Sequence, residues 1–204
     1  MNYHNIVHDD MNNGDGIRVT LFCSGCTHQC PGCQNPQTWD KDSGIPFDSS
    51  AREELFAELA KPYVDGVTLS GGDPMAVFNQ YDMWELCKEI KEKFPNKTIW
   101  MYTGYTLDAL RKNGVWDNFK DYIDVLVDGS FVEEKKSVSY EWAGSTNQRV
   151  LRKESNFEVN TSDKTELIAW QEKYGNAVVG QHCVTCGASD IGYDDENGNE
   201  DYER

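Results

Sequence analysis

Four of the seven cysteines fall within eleven residues, in the run Cys23-Ser-Gly-Cys26-Thr-His-Gln-Cys30-Pro-Gly-Cys33. Thiolates gathered on a short Gly- and Pro-containing loop select a soft metal centre, either zinc or an iron–sulfur cluster. Two Cys-x-x-Cys pairs holding structural zinc usually stand about 12–20 residues apart. Here three residues separate Cys26 from Cys30. The bacterial ferredoxin order Cys-x2-Cys-x2-Cys-x3-Cys is not met either, because the intervals in this chain are two, three and two. A second segment, Ser70-Gly71-Gly72-Asp73-Pro74, reads alone as an ordinary turn. Its glycines permit close backbone approach, and Asp73 offers an acceptor for an ammonium group. A distant pair, Cys183-Val-Thr-Cys186 beside His182, supplies two or three ligands. Zinc there would need help from Cys23, another chain or a partner. An exposed thiol pair without metal is the equal alternative.

The elements around these segments alternate in period. Residues 17–23, 67–70, 98–102 and 123–127 are β-type runs, and 148–152 adds a possible late strand. Between them, Ser50 with Glu53 forms a capping-box pattern ahead of Leu55, Phe56 and Leu59. Met83, Cys87, Ile90 and Phe94 make a buried helical stripe that stops before Pro95. A weaker helix from Thr106 to Lys112 stops at Asn113-Gly114, and Asp163 with Glu166 begins another through Tyr174. Strands alternating with helices predict parallel βαβ units, whose loops carry site residues at the carboxyl ends of the strands. Both Cys26 and Gly72 follow such ends. Four or five strands are too few for an eight-stranded closure, so an α/β fold with an open or partial parallel β/α barrel is expected. No internal repeat is visible.

Composition narrows the class. With 38% hydrophobic and 12% aromatic residues the chain can bury a core. Its 19 Lys and Arg against 35 Asp and Glu leave a net charge of −16, which argues against nucleic acid and anionic membrane as partners. No run approaches the roughly 18 consecutive apolar residues of a membrane span, and the start lacks an export signal. A cytoplasmic location is expected. Residues 187–204 hold seven acidic side chains and one Arg, and this acidic end is expected to be flexible. The division expected is residues 1–155 as one domain and 156–204 as a C-terminal extension.

The triplet Cys26-x3-Cys30-x2-Cys33 at the end of a first strand resembles the signature of the radical S-adenosylmethionine superfamily, and Gly71-Gly72-Asp73 resembles its Gly-Gly-Glu-type segment. The resemblance implies that Cys26, Cys30 and Cys33 bind three irons of a [4Fe–4S] cluster, leaving the fourth open to S-adenosylmethionine. Within that superfamily, Asn13-Gly-Asp-Gly16, Gln34-Asn-Pro36, Thr103-Gly104-Tyr105, Val125-Leu-Val-Asp128 and Asn147-Gln-Arg149 are similar to glycyl-radical-enzyme activases serving anaerobic ribonucleoside-triphosphate reductase. The likeness runs in order over residues 1–152. It implies reductive cleavage of S-adenosylmethionine to a 5′-deoxyadenosyl radical that takes a hydrogen from a backbone glycine of the reductase's large subunit, with electrons from a low-potential donor. No catalytic acid or base is then required. It places Gly32, Cys33 and Gln34 beside the cofactor, Gly71, Gly72 and Asp73 at its methionyl end, and Thr103, Gly104 and Asp128 around the pocket. The fold implied is the partial β/α barrel of the radical S-adenosylmethionine type.

Blander readings stand beside these. Cys23 is expected to be a strand-end core thiol rather than a fourth ligand, and Cys87 to be packing. His28 is either a hydrogen-bonding neighbour of the cluster or an exposed loop residue. Gly14-Asp-Gly16 lacks the third glycine of a dinucleotide loop and reads as a turn. Trp100, Tyr102 and Tyr105 are expected in the core and cleft wall. An iron–sulfur electron carrier, or a zinc-stabilised interaction module, would use the same thiols without S-adenosylmethionine.

Overall fold

The computed structural model describes residues 1–174. Its frame is an open seven-stranded sheet, numbered in chain order: β1 (Asn2–Asp10), β2 (Arg18–Cys23), β3 (Ile45–Pro46), β4 (Gly66–Gly71), β5 (Thr98–Tyr102), β6 (Val125–Asp128) and β7 (Arg149–Arg152). The spatial order is β3-β1-β2-β4-β5-β6-β7. The four central strands β2, β4, β5 and β6 are parallel. At one margin β1 pairs antiparallel with both β2 and β3, and at the other β7 pairs antiparallel with β6. Expectation and outcome differ in number, since β1 and β3 lie outside the four or five strands legible in the sequence.

Alternation along the parallel strands divides the sheet's two faces. Val19, Leu21, Val67, Leu69, Ile99, Met101 and Leu126 are buried in one large cluster, which the helices supply from outside. These helices are α1 (Ser49–Leu59), α2 (Gln80–Lys93), α3 (Leu107–Lys112), α4 (Trp116–Phe119) and α5 (Lys164–Tyr174). Met83, Cys87 and Ile90 of α2 are fully buried in it, as their spacing predicts. The other face carries Thr20, Thr68, Trp100 and Val125 side by side in register.

On that face lies Arg18, wholly buried. Its Nε donates to Thr68 Oγ1 at 2.7 Å, its Nη2 to Val67 O at 2.7 Å and Thr98 O at 3.1 Å, and its Nη1 to Thr98 Oγ1 at 3.0 Å and Asp15 O at 3.1 Å. Its guanidinium also stands 5.4 Å from the Trp100 ring centre. Burial lowers the Arg18 pKa to about 10, still charged at neutral pH. A charge in this place is tolerated because each arm meets an acceptor.

Helix ends follow local chemistry with one correction. The cap of α1 is Asp48, whose Oδ1 accepts from Ser50 N and Ala51 N at 3.0 and 3.1 Å, rather than the Ser50–Glu53 box. A carboxylate two residues earlier is the stronger acceptor for the exposed N–H groups. Thr106 caps α3, which begins at Leu107, and Asp163 caps α5 at the expected start. The last parallel strand begins at Val125, not Ile123.

The two sheet margins differ: β3 pairs with only Asn2 and Tyr3 of the nine-residue β1. The β3 edge has two residues, one of them Pro46, which has no N–H to offer. Outside β7, Val150 N donates to Asn160 Oδ1 and Val150 O accepts from Thr161 N, so a folded-back segment occupies the free positions. Among the described residues no helix is long and apolar enough to cross a membrane. Cys183, Cys186 and the acidic end lie outside the described residues.

Candidate functional site

All four parallel strands deliver a loop to the same end of the sheet. The loop after β2 runs from Ser24 to Asn35, that after β4 contains Gly72 and Asp73, that after β5 begins at Thr103, and that after β6 begins at Gly129. They enclose one cleft, lined by Cys26, His28, Cys30, Cys33, Gln34, Gly71, Gly72, Thr103, Gly104 and Gly129 among others. The three cysteines are free thiols of intermediate exposure. Burial raises the Cys26 pKa, opposed by hydrogen bonds from the His28 and Gln29 backbone.

The first two loops are stitched by their backbones. Gly72 N donates to Cys23 O at 2.8 Å and Asp73 N to Gly25 O at 2.7 Å. The Asn79 amide, 2% exposed, donates to Ser24 O at 2.8 Å and to Asp73 O at 3.0 Å. A Cβ on Gly71 would meet the Cys23 backbone at 2.7 Å, at a φ of +99° that already favours glycine. The close approach that the glycines permit is therefore, in part, between the two loops themselves.

The carboxylates sit behind the wall. Asp73 is 1% exposed, with Oδ1 accepting from Met75 N at 2.8 Å and Thr103 Oγ1 at 2.9 Å. Its Oδ2 accepts from Gly104 N at 3.1 Å and stands 2.9 Å from His28 Nε2. That last pair has ion-pair separation but not the alignment of a hydrogen bond. Asp128, also 1% exposed, accepts from Leu107 N at 2.6 Å and from Arg149 Nε at 2.9 Å, and a second Arg149 nitrogen completes the fork. Gly129 beside it reaches the cleft.

Among the blander readings, Cys23 and Cys87 are fully buried, and burial drives both thiols far above their ordinary pKa. Trp100 is core. Tyr102 lines the cleft while donating to Trp142 O at 3.0 Å, and burial pushes its phenol up. The exposed-loop alternative for His28 fails, since its side chain is only 18% exposed. Sequence reasoning missed Asn13, Trp39, Phe131 and Gly144 as cleft residues. They arrive on irregular loops, where no period marks an inward side. Gln148, seen only as part of a segment, holds the rim by donating to Gly129 O at 2.9 Å and accepting from Gly144 N at 3.0 Å.

Three half-exposed thiols on one cleft suit a group that takes each sulfur on a different metal atom. Among the described residues no three His, Cys, Asp or Glu side chains converge tightly enough to hold a single ion. The Trp39 indole N–H, buried on the same cleft wall, meets no acceptor in the described residues. Three thiols on one cleft are a donor set that fits an iron–sulfur cluster.

Known proteins agree on this part of the chain. The family model described as a 4Fe-4S single cluster domain matches residues 12–151. Over 152 residues the chain is 44% identical to the anaerobic ribonucleoside-triphosphate reductase-activating protein of Escherichia coli strain K12, covering 74% of this chain and 97% of that one. It is 40% identical over 154 residues to the protein of the same name from Pasteurella multocida, with 74% and 98% covered. The counterpart from Enterobacteria phage T4 is 39% identical over 150 residues, with 74% and 93% covered.

Proposed function

The chain belongs to the family of anaerobic ribonucleoside-triphosphate reductase-activating proteins, and from that premise we propose that it is a radical S-adenosylmethionine activase which generates a glycyl radical on that reductase. One observation carries the reading: Cys26, Cys30 and Cys33 share a cleft with Gly71 and Gly72 at the carboxyl ends of parallel strands. Bound there, a [4Fe–4S] cluster with S-adenosylmethionine would supply methionine and a 5′-deoxyadenosyl radical able to take a hydrogen from a glycine Cα.

The protein's own residues bind, orient and shield. Cys26, Cys30 and Cys33 would hold three irons, and Cys23, fully buried, would leave the fourth iron open. Gly32, Cys33 and Gln34 would flank the cofactor on one side. On the other, Gly71 and Gly72 would form the wall at its methionyl end, with Asp73 fixed behind them. Thr103, Gly104 and, through Gly129, Asp128 would shape the remaining rim. A partial β/α barrel of the radical S-adenosylmethionine type accords with the parallel centre of the sheet. A cleft that opens at the strand ends suits delivery of a partner's backbone glycine and of an electron from a low-potential donor.

The test uses anaerobically reconstituted protein given a strong reductant and S-adenosylmethionine, then mixed with the reductase. Release of 5′-deoxyadenosine and a glycyl-radical signal in electron paramagnetic resonance are expected. A brown protein that exchanges electrons but releases no 5′-deoxyadenosine would be an electron carrier, and a colourless zinc protein would be an interaction module. Either result overturns the reading.

A further inference from the structure

We propose that His28 is a positioning residue whose ring pins the segment between Cys26 and Cys30 to the ends of three parallel strands, and so fixes where two of the three thiolates stand. Being directed at the cluster, the inference rests on the function proposed above.

Four contacts converge on this ring. Its Nε2 stands 2.9 Å from Asp73 Oδ2 in the loop after β4. The ring meets Tyr105, after β5, edge to face with centres 4.6 Å apart. Ser130 Oγ, after β6, lies 3.3 Å from Nδ1. Gly104 has no room for a side chain because a Cβ there would sit 2.3 Å from the imidazole. The ring therefore occupies a seat shaped for it. Nearby, Thr27 Oγ1 adds only a 3.3 Å contact to the Tyr105 hydroxyl, and Cys26 N donates to Trp39 O at 2.9 Å.

The geometry has a chemical consequence. Cys26 and Cys30 lie two residues to either side of His28, so anchoring its ring limits the excursions of both sulfurs. Cluster ligands held in place before the metal arrives lose less conformational freedom on binding. Asp73 is shared as well, because the carboxylate beside the imidazole also receives Thr103 Oγ1 and Gly104 N. The cluster loop and the Gly-Gly-Asp loop are thereby one mechanical unit, and loosening His28 should disturb both.

The test compares wild-type, His28→Ala, His28→Gln and Tyr105→Leu as full chains reconstituted anaerobically. The readouts are the rate of iron loss to a ferrous chelator, and KM for S-adenosylmethionine measured apart from kcat. Iron loss from His28→Ala is expected to be about 10-fold faster or more, by analogy with residues that orient metal ligands. His28→Gln, which keeps a polar group toward Asp73, should recover part of the difference. Tyr105→Leu, which removes the aromatic seat and leaves the imidazole, should also accelerate iron loss and covers the case in which His28→Ala does not fold. KM is expected to rise with little change in kcat. Wild-type rates of iron loss in both His28→Ala and Tyr105→Leu would overturn the inference. A wild-type protein that takes up no iron–sulfur cluster would instead overturn the proposed function beneath it.

Discussion

A Cβ at position 72 would stand 2.4 Å from the carbonyl oxygen of Gly25, so the two loops that build the cleft touch at a distance only glycine allows. Gly72→Ala must push them apart, breaking the hydrogen bonds from Gly72 N to Cys23 O and from Asp73 N to Gly25 O. Overpacking of this kind costs about 1–3 kcal/mol. A thermal midpoint lowered by roughly 2–12 °C is expected, together with a raised KM for S-adenosylmethionine. Calorimetry checks the first and product assays the second.

Cys30→Ala and Cys23→Ala should separate cleanly. Cys30 lines the cleft, whereas Cys23 is fully buried with Asn79 Nδ2 3.8 Å from its sulfur. Loss of Cys30 is expected to abolish stable cluster binding. Loss of Cys23 should leave iron and sulfide content unchanged and cost about 1 kcal/mol in urea unfolding. Full clusters in Cys30→Ala would refute the ligand assignment.

Arg149→Met would leave Asp128 buried without its counter-charge. The carboxylate is 1% exposed, and among the described residues its one other donor is the Leu107 amide. Breaking a buried pair from one side costs about 3–5 kcal/mol; because Arg149 is itself partly exposed, the lower end is expected. Pairing the change with Asp128→Asn should recover much of the loss, which a double-mutant cycle in urea would measure.

Acid stability should register Glu89. Burial pushes its pKa up, but the Lys93 hydrogen bond and the Arg52 charge more than reverse that and hold it below the ordinary carboxylate value of 4.5. A depressed pKa stabilises the fold above the unfolded value and loses that effect as pH falls through the folded one. The group is partly exposed and its partners Arg52 and Lys93 more so, so the contribution is about 0.5 kcal/mol. Glu89→Gln should be less stable than wild-type at neutral pH and should converge with it below pH 4.5. A difference that persisted unchanged into acid would contradict the assignment.

The parallel strands and the cysteine loop were legible because their signals are local. Val19, Leu21, Val67 and Leu69 alternate without interruption, and the Cys26-x3-Cys30-x2-Cys33 interval needs no tertiary context. The first strand was hidden for a physical reason. Its pairing with β2 slips between Tyr3 and Asn5 and again between Val7 and Asp10, so the buried residues are Tyr3, Ile6 and Asp10. Those intervals of three and four look helical rather than extended, and Asn and Asp weaken the strand signal further. In the site, the glycines and acidic residues were legible as types but not as contacts. Nothing in a linear reading indicates that Asp73 turns to Thr103 and Gly104, or that Asp128 closes on Arg149. Such contacts depend on which strands become neighbours.

The occupied β7 border of the sheet bears on how this molecule meets others. A β7 already bonded by Asn160 and Thr161 gives an incoming chain almost no backbone ladder to extend there. Recruitment by strand addition is thereby discouraged at that flank. Contact with another protein at this border falls instead to side chains and loop crests.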